Sequence, residues 1–432
     1  AAKLAITRSA ATAAAGKAFG TQPQVTVQDL DGNTVEIANS HIEMTSSDAE
    51  VFGTTSKDVV NGVTEFTNVG LKGEVGSKSI TFTLVEDTSI KVSQTGLVLA
   101  AGDAAKLTVT AQPQTITAGS TFGTAVKVEV QDAWGNKVSS NATVSASLVD
   151  GVDKTTAVSD SNATNTSATP DSNGVATFTG MTFAKAGQVR IKFVAGSYVT
   201  YSDAFYVSPA APHHIAWVTD PQSTVVTRAT MTTAPVAEIR DQYENAVTFG
   251  YSATATLGTN NSVNVINNAS RTAVAGQFTF SNVSVGALVG NYKFTIASIS
   301  ITKTSDNSSV TLNNHSAESG TFAVTVGAPN KLAITTPASG ARVNAAFDVQ
   351  PVLDIQDTDG NTISSGTGST AALSMSSTAT STLTQSSFNA VSGVADYANA
   401  TDKLGLVGTV GTHTLTYSAT FGSTTLTATQ SI

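Results

Sequence analysis

Apolar and polar residues alternate in short runs along this chain. Val25 and Val27 do so, then Val126, Val128 and Val130, then Leu353 and Ile355. A period of two puts one face of an extended strand inward and the other outward. Each of these runs leads into Asp, two variable residues, Gly and Asn, and then an apolar residue resumes the chain. Gln131–Val138 reads Gln-Asp-Ala-Trp-Gly-Asn-Lys-Val. Gln28–Val35 and Gln356–Ile363 repeat the pattern, and Arg240–Val247 carries a weaker form of it. Asp opens a type I turn, and Gly takes its fourth position, where positive φ costs a residue without Cβ nothing. In the third copy Glu244 stands where the others have Gly. That turn is therefore expected to be strained or differently built.

The shared Asp residues lie at 29, 132, 241 and 357, in steps of 103, 109 and 116 residues. A period of that length is a whole domain rather than a solenoid unit. It predicts four tandem domains, residues 1–103, 104–211, 212–328 and 329–432. Each opens on a short apolar strand after a linker of a few residues: Lys3-Leu4-Ala5-Ile6, Lys106-Leu107-Thr108-Val109, His214-Ile215-Ala216-Trp217 and Lys331-Leu332-Ala333-Ile334. Short Pro- and Ala-containing linkers favour a semi-rigid string of domains. A second signature sits in the back half of each repeat. There a turn Gly (62, 174, 276 or 393) launches a strand that ends in Phe66, Phe178, Phe280 or Tyr397. With one further alternating strand, each repeat holds about seven short strands separated by Gly, Asn, Asp and Ser turns. The expected fold is all-β, with four tandem immunoglobulin-like β-sandwich domains in an extended rod.

Composition narrows the function. Of the 432 residues only 12% are charged and 6% aromatic, too few Leu, Glu and Lys for helical bundles. The net charge of −9 is mild, and no basic patch is present, which argues against nucleic acid or an anionic membrane surface as partner. There is no cysteine, which excludes disulfides, thiolate metal sites and cysteine nucleophiles. No run of about 18 apolar residues offers a membrane span. The chain starts at Ala1, which reads as a mature or trimmed product.

The combination K-L-x-I-T, then F-x-T-x-P-x-V-x-V-Q-D-x-x-G-N-x-V, then D-x-N-G-V-A-x-F resembles the tandem bacterial Ig-like repeats of large cell-surface proteins. These are akin to invasin and intimin modules and occur in adhesins, S-layer proteins and surface filaments. The likeness covers all four repeats and is best in the first, second and fourth. The third departs at Glu244 and lacks Asn-Gly-Val-Ala. The resemblance implies an extracellular structural or binding role and no catalytic residue.

Candidate sites are few. Asp29, Asp31, Asp357 and Asp359 suggest a calcium loop. An EF-type loop needs a bidentate Glu at its twelfth position, where this chain has Ser40 and Gly368. That leaves a plain hairpin turn or an interdomain calcium site. Asn-x-Ser/Thr sequons stand at Asn141, Asn162, Asn165, Asn260, Asn268, Asn282, Asn307, Asn314 and Asn399, all expected in exposed loops. His213 and His214 lie in a linker and read as a solvated hinge pair, while His41, His315 and His413 stand apart. Trp217 reads as core. Trp134, at a turn tip, is expected to pack on the next domain rather than to stack on a sugar. No Ser/His/Asp order, phosphate loop or carboxylate pair stands out, so the chain is read as no enzyme.

Thr429–Ile432 looks like the start of a final strand that loses several residues when set against Gly320–Val326. Two explanations stand: the protein continues, or a neighbouring chain supplies the strand across an open edge. The expected function is a self-assembling segment of a cell-surface layer, sheath or filament. The rival is the stalk of a surface adhesin or a carbohydrate-binding array, with surface glycans as partners.

Overall fold

The computed structural model describes residues 1–37, 39–313, 317–366, 368–378 and 381–432. The chain forms two compact units, Ala1–Ala210 and Ala211–Ile432. Strands dominate both. The described residues include a single 3-10 turn, Tyr397–Asn399, capped by Asp396.

One small sheet recurs four times. Its members are Lys3–Arg8, Gln24–Gln28 and Val63–Glu65 in the first copy, and Lys106–Ala111, Val126–Gln131 and Val175–Phe178 in the second. The third copy is His214–Thr219, Val236–Arg240 and Gln277–Thr279. The fourth is Lys331–Thr336, Val352–Gln356 and Val394–Asp396. The register recurs too: Lys3 faces Gln28, Lys106 faces Gln131, His214 faces Arg240 and Lys331 faces Gln356. Each opening strand bulges after its fourth residue, which bends the strand and increases its local twist.

A second sheet faces each of these. In the first repeat it runs Ala13–Ala14, Lys91–Ala100, Gly76–Leu84, His41–Thr45 and Ser56–Asp58. The short segment Ala13–Ala14 pairs parallel with the end of the last strand, Leu99–Ala100. Alternating residues of both sheets fill the space between them, as the period of two requires. The aromatic residues Phe66, Phe178, Phe280 and Tyr397, which end the Gly-launched strands, are fully buried. Phe66 lies 5.3 Å from Phe82, and Phe178 lies 5.1 Å from Phe193. The fourth repeat uses tyrosines at these places, Tyr397 and Tyr417. Their buried hydroxyls have no partner among the described residues, and burial pushes both phenols well above their ordinary pKa.

The four Asp turns share one geometry. Gly32, Gly135 and Gly360 donate their N–H to the carbonyls of Asp29, Asp132 and Asp357 at 3.2–3.3 Å. Glu244 donates to Asp241 in the same way at 3.3 Å. The expected strain is present, because Glu244 has φ +65°. Two side chains hold its carboxylate: Arg240 Nη1 at 3.2 Å and His214 Nε2 at 3.2 Å. The turn of the third repeat is thus the same turn with a strained residue in the glycine position.

Candidate functional site

A hairpin needs only the Asp and the Gly of the turn. The Asn that follows in every copy has a separate task, visible where two repeats meet inside a unit. In the first unit Asp132 accepts from Trp134 N–H at 3.0 Å, from Asn136 N–H at 2.9 Å and from Asn136 Nδ2 at 2.8 Å. Those bonds close the turn. Asp132 Oδ2 also accepts the N–H of Gly102, in the segment that leads out of the first repeat, at 2.9 Å. Asn136 reaches further across. Its Oδ1 accepts from Val75 N–H at 2.8 Å, and its Nδ2 donates to Gly73 O at 2.9 Å.

The second unit repeats the device. Asp357 Oδ2 accepts from Gly327 N–H at 2.9 Å. Asn361 Oδ1 accepts from Val289 N–H at 2.7 Å, and its Nδ2 donates to Ala287 O at 3.0 Å. Asp132, Asn136, Asp357 and Asn361 are all buried. A buried carboxylate or amide left unpaired costs far more than its hydrogen bonds return, so these side chains fix one docked geometry. The first turn shows the device undocked. Asp29 and Asn33 bond each other at 2.8 and 3.0 Å, but Asn33 is exposed.

Each joint adds a contact of its own. In the first unit Trp134 packs against the core of the first repeat and is half-buried there. It therefore packs, but on the preceding repeat and not the next one, because its turn points back toward the linker. In the second unit Asp359 holds the same position. Its side chain has no exposed surface. It accepts from Arg228 Nε at 2.9 Å and Nη2 at 2.8 Å, from Thr227 Oγ1 at 2.6 Å and from Asn264 Nδ2 at 2.9 Å. Arg228 sits at φ +62°, a strained backbone held at the point where the ion pair forms. Burial pushes the Asp359 carboxyl up, but Arg228, Asn264 and Thr227 together outweigh it and hold it below the ordinary value. Asp132 is likewise lowered: burial raises it, and Asn136 with the Gly102 and Trp134 N–H groups more than offsets that.

The sign of the pH effect follows. A carboxyl with a depressed folded pKa adds stability that is present above its unfolded value near 3.8 and lost as pH falls through the folded value. The first joint is therefore expected to be intact at neutral pH and to open below about pH 4. Trp134 reports it. In a Trp217→Phe background its emission should shift to the red on acidification; an unchanged spectrum down to pH 2 would contradict the account.

The calcium candidates fall out differently. Asp357 and Asp359 point their oxygens at protein donors. Asp29 is engaged by Asn33, which with the backbone N–H groups of the turn holds its carboxyl low. Asp31 is exposed. Among the described residues no group of three or more His, Cys, Asp or Glu side chains is placed to hold a metal ion. Asn141, Asn162, Asn165, Asn260, Asn268, Asn282, Asn307 and Asn399 are exposed. Three of them use Nδ2 within the protein: Asn165 to Gly180 O, Asn268 to Asn282 O and Asn399 to Asp396. Asn314 and His315 lie outside the described residues. His213 and His214 are half-buried rather than solvated, with their Nδ1 atoms 3.3 Å apart. His413 is buried against Thr378, Ser381 and the Thr409 carbonyl. Trp217 packs on the core of its repeat and donates to Ala317 O at 3.0 Å. Among the described residues no helix is long and apolar enough to cross a membrane.

The fold is all-β, built of tandem immunoglobulin-like sandwiches. No family model matches the chain. No curated protein matches it either. Solved structures do. The adhesin FdeC of Escherichia coli is 17% identical over 74% of this chain and 96% of its own, with a TM-score of 0.33. InvD of Yersinia pseudotuberculosis is 15% identical over 75% of this chain and 98% of its own, with a TM-score of 0.29. The S-layer protein SbsC is 16% identical over the full chain and 52% of its own, with a TM-score of 0.21. Likeness at this level says nothing of activity or partner.

Proposed function

We propose that this chain is a non-enzymatic extracellular structural protein, a self-assembling segment of a cell-surface layer, sheath or filament. The observation that carries the reading is the joint. Within each unit the repeats are bound by buried carboxylate and amide side chains that grip the neighbour's backbone. Force along such a unit passes through these bonds as well as through the linker. The exposed faces are rich in Thr and Ser, which suits a protein that must stay soluble at high local density. The stalk of an adhesin would use the same joints. A carbohydrate-binding array would need aromatic faces open to solvent; Trp134 is spent on packing, which leaves Tyr201, Tyr206 and Phe249 as the exposed aromatic residues for that reading.

Electron microscopy of the purified chain at high concentration separates these readings. An ordered lattice or helical filament is the expected result. Dispersed single particles at every concentration would overturn self-assembly and favour the stalk.

A further inference from the structure

The larger sheet of the second repeat turns one face away from the core. Its middle strand, Gly187–Ala195, lies between Val144–Asp150 on one side and two consecutive segments, Tyr198–Tyr201 and Phe205–Ser208, on the other. Val189, Ile191 and Phe193 are buried in the core. The alternate positions Gln188, Arg190 and Lys192 therefore point outward. Directly opposite residues of neighbouring strands share a face. Tyr201 stands opposite Lys192, and Tyr206 opposite Gln188. Both tyrosines are exposed, by 36% and 41%. The strand rise sets them about 13 Å apart, with Arg190 between them.

Arg190 is pinned across this face. Its Nε donates to Gly151 O at 3.0 Å and its Nη1 to Ser202 O at 2.9 Å, carbonyls on opposite sides of the strand. Three of the five N–H donors of the guanidinium remain. Its charge is not cancelled either. Among the described residues neither Arg190 nor Lys192 pairs with a carboxylate, whereas Arg8, Arg228, Arg240 and Arg342 each do. Asp150, on the neighbouring strand, turns Oδ1 to the N–H groups of Val152 and Asp153. Two like charges two positions apart on one face repel each other, and an anion placed over them relieves both. In a chain of net charge −9 this pair is a local exception.

We propose that this face binds an acidic polysaccharide of the uronate class. A tyrosine ring takes the C–H face of a sugar and leaves its hydroxyl in water. A guanidinium takes a carboxylate through paired N–H donors, and an ammonium takes it as a point charge. A sugar ring that carries its own carboxylate meets both needs at once. A polymer of such rings reaches from Tyr201 past Arg190 to Tyr206. An acidic peptide brings the charge without a rigid ring face, and a neutral glycan brings the ring face without the charge. The two fixed carbonyl bonds of Arg190 hold the guanidinium in place before the ligand arrives, which lowers the cost of ordering it. Such a face serves a layer and a stalk alike, so it stands or falls independently of self-assembly.

The test is a calorimetric titration of the full chain at low ionic strength with hexamannuronate and, separately, hexagalacturonate. Saturable one-site binding of at least one of them is the expected result. Lys192→Ala and Tyr201→Ala should each weaken it on the order of tenfold. Both side chains lie on the outer face, so both variants should fold, and unchanged amide protection at Phe193 checks that they do. Asp203, exposed at the bend after Ser202, opposes an anion, so Asp203→Asn should tighten binding. The carboxyl-reduced hexamer, which keeps the rings and loses the charge, should not bind, and neither should hexaglutamate. No saturable binding of either uronate at millimolar concentration overturns the proposal. So does unchanged affinity in either the Lys192 or the Tyr201 variant. Equal binding of hexaglutamate would show a site for acidic peptides, and equal binding of the reduced hexamer a site for neutral glycans; each overturns it as well.

Discussion

Replacing Asp359 with alanine should uncouple the third and fourth repeats at a cost of about 3 kcal/mol. Removing one partner of a buried ion pair leaves the others desolvated and unpaired. Here the orphans are Arg228, Thr227 and Asn264. The figure is the low end for such a loss, because Arg228 is 41% exposed and can rehydrate. The joint also keeps Asp357 and Asn361, so the repeats themselves should stay folded. The readout is exchange of the Gly327 and Val289 amides, which donate across the joint. Their protection should fall by about two orders of magnitude, since 1.4 kcal/mol is tenfold. Amides in the strand Phe294–Lys303 should not change. Asp359→Asn should fall between, because its amide can accept from Thr227 but turns a donor toward Arg228. Unchanged protection at both reporter amides would mean that Asp357 and Asn361 carry the joint alone.

Much of the architecture was legible because the turn chemistry is strict. Asp and Gly three residues apart, after an alternating run, can do little else than close a hairpin. The aromatic residues at the ends of the back-half strands were readable as core for the same periodic reason. The joints were legible only in part. A type I turn does not require Asn after its Gly, yet Asn33, Asn136, Asn245 and Asn361 recur. That surplus was the available signal for a second role, which Asn136 and Asn361 fill by gripping the neighbouring backbone. What they grip could not be read. Gly73, Val75, Ala287 and Val289 contribute only main-chain atoms, which leave no side-chain trace in the sequence. The direction in which Trp134 packs was also hidden, since a turn tip can face either neighbour until the linker path is known. The pairing of Asp359 was hidden for a related reason: a carboxylate in an Asp-x-Asp-Gly-Asn turn reads as a candidate metal ligand, and its partner Arg228 lies 131 residues away.

The joint of the first unit depends on close contact as well as on the Asp132 carboxylate, and a glycine makes that contact possible. Gly16 has φ +71°, and a Cβ there would lie 2.2 Å from Cη2 of Trp134 and 2.8 Å from Cζ3. Gly16→Ala therefore acts twice. The left-handed backbone alone costs an alanine about 1 kcal/mol. The methyl also drives the indole off the first repeat, forfeiting part of its burial. A total of about 2–3 kcal/mol is expected, comparable to Trp134→Ala itself. The two effects separate in a double-mutant cycle, because the steric part needs the indole and the backbone part does not. In a Trp134→Ala background, Gly16→Ala should cost only about 1 kcal/mol, leaving a coupling of 1 kcal/mol or more. Protection of the Gly102 and Val75 amides, which bond Asp132 and Asn136 across the joint, gives the measurement. Strict additivity of the two substitutions would show that the indole yields to the methyl at no cost. The contribution of Trp134 to the joint would then be read from Trp134→Ala alone, and Gly16 would matter only for its backbone.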